Sequence, residues 1–318
     1  MAQTRYRSLK DLLGEEYVVP GTPLCSGCGA LLTFRLFHKA LGKKVVWVNA
    51  AGCITLMIVY PFSPLKSSWM YTAMGCAPAG AQGIRDALDI LIEKGEVDPE
   101  EDLKVVVVTG DGAANDIGLQ SASGAIHRRL DFYYLCYDNE AFGNTGFQFS
   151  PSTPYGSKTM TSLPTPLIPE GHKGRKKDLF EIWRAHNPPY LATVSPSHPM
   201  DMMRKIEKAE RFKGPKLFIS ISPCPPGWGY DTMKTIRMAR LAVETGVWPL
   251  KEAVHGEVRH TFIPRSLKPL EEYLKEQERF KHLFYPLRRE DIIGRMQREV
   301  EEYWRKVYST EVLEEKKD

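Results

Sequence analysis

The sequence predicts an α/β fold: a mostly parallel sheet with helices on both faces, followed by a C-terminal helical extension. Three observations predict it. Five short runs are almost continuously apolar and rich in β-branched or aromatic residues, as strands covered on both faces should be. Segments with apolar residues at helical spacing lie between them, the alternation expected of a parallel sheet. The 318 residues, 42% hydrophobic and 26% charged, suffice for one large α/β unit with an extension, or for two domains.

The elements follow in order. "ALLTFRLFHKAL" (30–41) reads as a helix and "KVVWVN" (44–49) as the first strand. "AGAQGIRDALDILIEKG" (79–95) is a helix whose stop is marked by Lys94 and Gly95. "KVVVVT" (104–109) and "FYYLCY" (132–137) are strands around the helix "LQSASGAIHRR" (119–129). Residues 150–178 are rich in Pro, Thr, Ser and Gly without a period, and a loop that long inside a compact domain is usually functional or covers a partner. "YLATVS" (190–195) and "KLFISIS" (216–222) are strands around the helix "PMDMMRKIEKAERF" (199–212). A first domain is expected over 1–230. Residues 231–318 form a partly helical extension, packed on the core or on a partner, with amphipathic helices from about 268 and a frayed end at 314–318.

Composition excludes several roles. With 43 basic and 39 acidic residues the formal charge is +4, a balance that points to neither nucleic acid nor an anionic membrane. No apolar run approaches the roughly eighteen residues of a membrane span. "MAQTRYRSLKDLLGEEY" lacks the apolar stretch of a signal peptide, so a cytoplasmic protein is expected.

Two constellations carry chemistry. "GDGAANDIGLQ" (110–120) sets Asp111 between Gly110 and Gly112, just past a strand. Bare backbone there, with Ala113 following, suits a phosphate, and a carboxylate beside phosphate requires a divalent cation between them. "YDNEAFGNTG" (137–146) supplies Asn139 at the next strand end, 28 residues on. Each segment alone is also an ordinary turn; the pair at this spacing points to a Mg²⁺–diphosphate site. Of six cysteines, Cys25 and Cys28 form a CxxC pair, Cys53 follows the strand 44–49, and Cys224 follows the strand 216–222. This set fits an iron–sulfur cluster, a structural zinc, a redox pair or no function. Cys136 reads as core, and the role of Cys76 is open. A diphosphate–Mg²⁺ site beside an electron-transfer centre fits thiamine diphosphate, whose carbanion chemistry yields electron-rich intermediates.

The segments "LCSGCGA", "AAGC", "GDGAANDIGLQSASGAIHR", "CYDNEAFGNTGFQFSPSTPYG", "SPCPPGW", "ARLAVETGVWPL" and "LEEYLKEQERFKHLF" resemble the β subunit of pyruvate:ferredoxin oxidoreductase and related 2-oxoacid:ferredoxin oxidoreductases. The resemblance spans nearly the whole chain. It implies a thiamine diphosphate-binding fold and a 4Fe–4S cluster on Cys25, Cys28, Cys53 and Cys224. It implies Mg²⁺ on Asp111, Asn139 and the Ala141 carbonyl, and Asn144 facing the substrate and the thiazolium ring. The implied reaction is oxidative decarboxylation of a 2-oxoacid, with electrons passing through clusters to ferredoxin and coenzyme A taking the acyl group, in an anaerobic setting. The implied partners are an α subunit that completes the active site, and γ and δ subunits or equivalent domains. One segment departs from the family: "YPFSPLKSSWMYTAMGCAPAG" (60–80) carries Gly75 and Cys76 where pyruvate-using members commonly have a glutamate–asparagine pair. If that segment lines the site, oxalate, an aryl glyoxylate or a branched-chain 2-oxoacid join pyruvate as substrate candidates; otherwise the change is a matter of helix packing.

Overall fold

A computed structural model describes residues 5–12, 14–61 and 63–314; of the expected frayed end 314–318, Glu314 is helical and 315–318 lie outside the described residues. All five expected strands form: β1 (Val45–Ala50), β3 (Lys104–Gly110), β4 (Tyr133–Asp138), β5 (Tyr190–Val194) and β6 (Lys216–Ile221). Three more join them, β2 (Ser68–Thr72), β7 (Leu250–Val254) and β8 (Glu257–Phe262). The eight make one sheet in the order β2-β1-β3-β4-β6-β5-β7-β8. The first six are mutually parallel; β7 runs antiparallel to β5, and β8 antiparallel to β7.

Of the three strands that sequence reading missed, two are edges and the third, β7, interrupts its buried run with Lys251 and Glu252. β2 is an edge strand with Ser68, Met70 and Tyr71 exposed. β8 is the opposite edge and is largely exposed. β7 and β8 form a hairpin through His255 and Gly256, both at positive φ (49° and 86°), the geometry of a two-residue hairpin turn. The pair therefore extends the main sheet with part of the segment after residue 230, the rest of which is largely helical.

Eight α-helices are described: α1 (Gly29–Leu41), α2 (Ala77–Glu93), α3 (Leu119–His127), α4 (Leu179–Arg184), α5 (Pro199–Ala209), α6 (Thr235–Glu244), α7 (Leu270–Lys275) and α8 (Glu290–Glu314). They cover both faces because strand side chains alternate. On β4, Tyr133, Leu135 and Tyr137 enter a core with Phe34 and Phe37 of α1 and Met202 and Ile206 of α5. Tyr134 and Cys136 enter the opposite core with α2, α3, α4 and α6. Among the described residues no helix is long and apolar enough to cross a membrane.

The segment between β4 and α4 is irregular, as expected for 150–178, yet it is packed into the protein. Ser150, Ser152, Thr153, Ser157 and Thr159 are buried. Buried backbone must pair, and it does: Gly156 N–H donates to His172 O (3.0 Å), and Lys158 N–H to Arg279 O (2.8 Å).

Candidate functional site

The connectivity locates the site. From β1 the chain moves outward to β2 and then returns past β1 to β3, so the winding direction reverses between β1 and β3. In open α/β sheets a ligand crevice opens there, beyond the carboxyl ends of the strands. Four consecutive strand ends at this edge carry, in spatial order, Cys53 (after β1), Asp111 (after β3), Asn139 (after β4) and Cys224 (after β6). The acid and the amide take the two central places, with one thiol on either side.

Asp111 is fully buried. Burial first, and the neighbouring Asp138 second, push its carboxyl well above the usual carboxylate range; Ser150 and Lys176 oppose that. Ser150 Oγ donates to Asp111 Oδ2. The Asn139 amide meets Asp111 Oδ1 at 2.9 Å and the Ala141 carbonyl oxygen at 2.7 Å. With its nitrogen turned toward them the amide donates to both; with its oxygen turned toward them, three acceptors converge without a proton among them. A divalent cation is what stabilises the second arrangement, and carboxylate, amide oxygen and carbonyl oxygen are the hard donors Mg²⁺ takes. The three residues therefore fit a Mg²⁺ ion.

A cavity of about 130 Å³ opens beside them, lined by Cys53, Gly110, Gly112, Ala113, Asn139, Ala141 and Asn144 among others. The exposed Asn144 thus stands at the same cavity as the buried Asn139. Gly112 has a second reason to be glycine: a Cβ there would lie 2.2 Å from the Phe142 ring. A larger cavity of about 750 Å³ lies under α8 and α7, lined by Lys176, Trp248, Lys251, Tyr273 and Tyr303 among others. None of the expected site residues lines it, so the chemistry gathers at the smaller one.

The cysteine loops meet around the same crevice. Cys28 caps α1, its Sγ accepting from Leu31 N–H at 3.4 Å. Gly29 N–H donates to Pro223 O at 3.1 Å, and a Cβ on Gly29 would lie 2.6 Å from that oxygen. The glycine after CxxC therefore lets that loop lie against the loop of Cys224. Burial pushes the Cys53 thiol up to about 12, and the charges of Cys224, Cys28 and Cys25 add to that. Burial likewise pushes Cys224 up to about 11, with Cys28 and Cys25 adding to it. The four sulfurs are near enough to feel one another, yet among the described residues no three His, Cys, Asp or Glu side chains are close enough to hold a single metal ion. Four thiols on neighbouring loops fit an iron–sulfur cluster or a zinc, and either would supply the positive charge that buried thiolates need. Cys136 is buried in β4, as expected. Cys76 is exposed, just ahead of α2.

Sequence reasoning missed the supports of this site. Ser150 comes from the long loop and holds Asp111. Ser152 Oγ accepts from Asn115 Nδ2 at 2.6 Å, tying the same loop to the turn after Asp111. Trp228 Nε1 donates to Asn139 O at 2.9 Å. Glu140 is buried between Lys176 Nζ (2.8 Å) and Arg279 Nη2 (2.6 Å). Burial pushes Glu140 up, but the two cations outweigh it and hold its carboxyl below its ordinary value.

The family model described as thiamine pyrophosphate enzyme, C-terminal TPP binding domain, matches residues 50–220, more than half of the chain. The pyruvate synthase subunit PorB of Methanocaldococcus jannaschii is 44% identical over 270 residues, covering 85% of this chain and 90% of that one. The ketoisovalerate oxidoreductase subunit VorB of Pyrococcus abyssi is 42% identical over 272 residues, covering 85% and 86%. The solved structure of 2-oxoglutarate:ferredoxin oxidoreductase from Magnetococcus marinus shares the fold, with a TM-score of 0.54 at 22% identity over 70% of this chain and 79% of that one. A thiamine diphosphate-binding sheet whose central strand ends bring acid and amide together, matched along most of its length by subunits of oxidoreductases, places this chain among the β subunits of the 2-oxoacid:ferredoxin oxidoreductases, thiamine diphosphate-dependent enzymes built from several kinds of subunit.

Proposed function

We propose that the chain holds the diphosphate end of thiamine diphosphate through Mg²⁺ on Asp111, Asn139 and the Ala141 carbonyl, and a 4Fe–4S cluster on Cys25, Cys28, Cys53 and Cys224. The complex it belongs to would oxidatively decarboxylate a 2-oxoacid, with pyruvate the first candidate, forming acyl-coenzyme A and CO₂. Electrons would leave to ferredoxin. An α subunit would complete the active site, with γ and δ subunits or equivalent domains alongside. The observation that carries this reading is the order along four adjacent strand ends: thiol, carboxylate, amide, thiol.

When bound, the thiamine cofactor supplies the carbanion chemistry of decarboxylation, and the cluster accepts electrons singly. The chain's own residues position and shield. Asp111 and Asn139 fix the metal, and Gly112 and Ala113 keep the adjoining backbone open to a phosphate. Ser150 fixes the Asp111 carboxylate in one orientation. Asn144 offers an amide at the cavity wall, where it can hydrogen-bond the substrate. A branched-chain 2-oxoacid is the second substrate reading, favoured by the ketoisovalerate oxidoreductase relative and by the departure at Gly75 and Cys76.

The test is the complex purified without oxygen. Brown protein containing iron, acid-labile sulfide and thiamine diphosphate is expected, with viologen reduced by pyruvate only when coenzyme A is present. Colourless protein holding zinc would overturn the cluster. Faster turnover of 2-oxoisovalerate than of pyruvate would move the substrate to the second reading, and reduction by oxalate without coenzyme A would replace both.

A further inference from the structure

Tyr137 is the last aromatic residue of β4, and only 2% of it is exposed. Its hydroxyl has no hydrogen-bond partner among the described residues. A buried tyrosine hydroxyl ordinarily finds one, and an orphan asks for an explanation. The contrast with its neighbour is direct: Tyr134, on the opposite face of the same strand, has its hydroxyl 3.1 Å from Thr109 Oγ1.

Two motif glycines make room for the Tyr137 hydroxyl. A Cβ on Gly52, in "AAGC", would lie 2.7 Å from its Oη, and one on Gly110, in "GDG", would lie 3.4 Å from it. The oxygen therefore sits between the loop of Cys53 and the loop of Asp111. Its electrostatic neighbours agree: Cys53 is the foremost charged one, then Asp111, then Cys28. The Ile54 N–H faces the phenolic oxygen, but it is itself a donor and offers nothing to the phenolic proton. The hydroxyl thus stands as a donor without an acceptor between the thiol site and the cofactor cavity, both of which it borders.

We propose that Tyr137 is a positioning and tuning residue whose hydroxyl donates a hydrogen bond to a sulfur of the bound cluster on the cofactor side. This rests on the cluster assignment above. Reduction adds an electron to the iron–sulfur core and increases charge on its sulfurs. A hydrogen bond to sulfur therefore favours the reduced state and raises the potential. The reason for glycine at both 52 and 110 follows: a side chain at either would displace the hydroxyl from the sulfur.

The experiment is a redox titration of the purified complex followed by electron paramagnetic resonance. The relevant signal is the one lost in Cys224→Ser. Tyr137→Phe, with iron and thiamine diphosphate content unchanged, should make that cluster about tenfold harder to reduce, a shift of about 59 mV to more negative potential for one electron. Tyr134→Phe should leave the potential unmoved. Gly52→Ala, which displaces the hydroxyl without removing it, should shift in the same direction as Tyr137→Phe. In wild-type protein moved into D₂O, an exchangeable proton strongly coupled to the cluster is expected, and it should be absent from Tyr137→Phe. An unmoved potential in Tyr137→Phe, or no such proton in the wild type, overturns the proposal. The wild-type measurement decides the question even if the variants fail to assemble. If Cys224→Ser removes no iron, it is the cluster assignment that fails.

Discussion

At the scale of single residues, the site depends on groups that hold other groups. Asp111→Ala should abolish Mg²⁺-dependent retention of thiamine diphosphate, checked by cofactor content after gel filtration; a retained cofactor would remove Asp111 from the metal. Ser150→Ala should be milder. It leaves the Asp111 carboxylate in place but unoriented, and loss of such a support costs roughly 10–100-fold in metal affinity. A Mg²⁺ titration of cofactor binding checks this, and an unchanged midpoint would reduce Ser150 to loop packing. His38 makes a separate prediction. It is fully buried among Tyr17, Phe34 and Trp47, and neither ring nitrogen has a partner among the described residues. Burial pushes its value down from 6.5 to about 4. Between these values the unfolded chain binds the proton and the folded chain does not. The folded state is therefore unpenalised above pH 6.5 and loses stability as pH falls from 6.5 toward 4, by about 2–4 kcal/mol in all. His38→Phe should flatten that part of the pH dependence of Tm; an unchanged slope would mean that His38 already holds its proton when folded.

At the scale of elements, the segment after the sheet reaches back to the site. The short 3₁₀ helix Glu278–Leu283 brings Arg279 onto the face of Trp228, 3.9 Å from the ring centroid, and onto Glu140. Trp228 in turn donates to the carbonyl of Asn139. One ion pair and one stacked ring thus pin both sides of a candidate metal ligand. Arg279→Ala leaves the buried Glu140 with Lys176 as its remaining counter-charge, and breaking such a pair from one side costs about 3–5 kcal/mol. It should lower Tm and also loosen cofactor retention. A fall in Tm with unchanged cofactor affinity would show that the tie serves stability alone. The sequence carried no signal for this role: "ERF" in an amphipathic stretch gives no hint that its arginine is buried.

At the scale of the whole molecule, the sheet crosses the boundary expected near residue 230. β7 pairs with β5 through Tyr190–Val254, Leu191–Ala253 and Ala192–Glu252, and Trp248, Leu250 and Ala253 are core residues. A chain ended at 230 would expose the β5 edge and the apolar surface that these residues cover, and exposed edges recruit other chains. It should be recovered as aggregate; a soluble, cofactor-binding truncated protein would show that residues 1–230 suffice.

The sequence by itself determined the parallel centre of the sheet, the strand ends on which Asp111, Asn139, Cys53 and Cys224 stand, and the family. The reason is physical: strands buried on both faces must be apolar throughout, and ligands gather where such strands end, so both leave a local mark. What only the tertiary structure decided is what depends on distant segments meeting. The edge strand β8 carries no apolar signature because it is largely exposed, and β2 is too short an edge to stand out although it holds Trp69, Met70 and Tyr71. Ser150, Trp228 and Arg279 act through contacts 39, 89 and 139 residues away along the chain, which no local pattern encodes. The same holds for the order of the four strand ends, since crossovers set it, and that order puts the acid and the amide between the thiols.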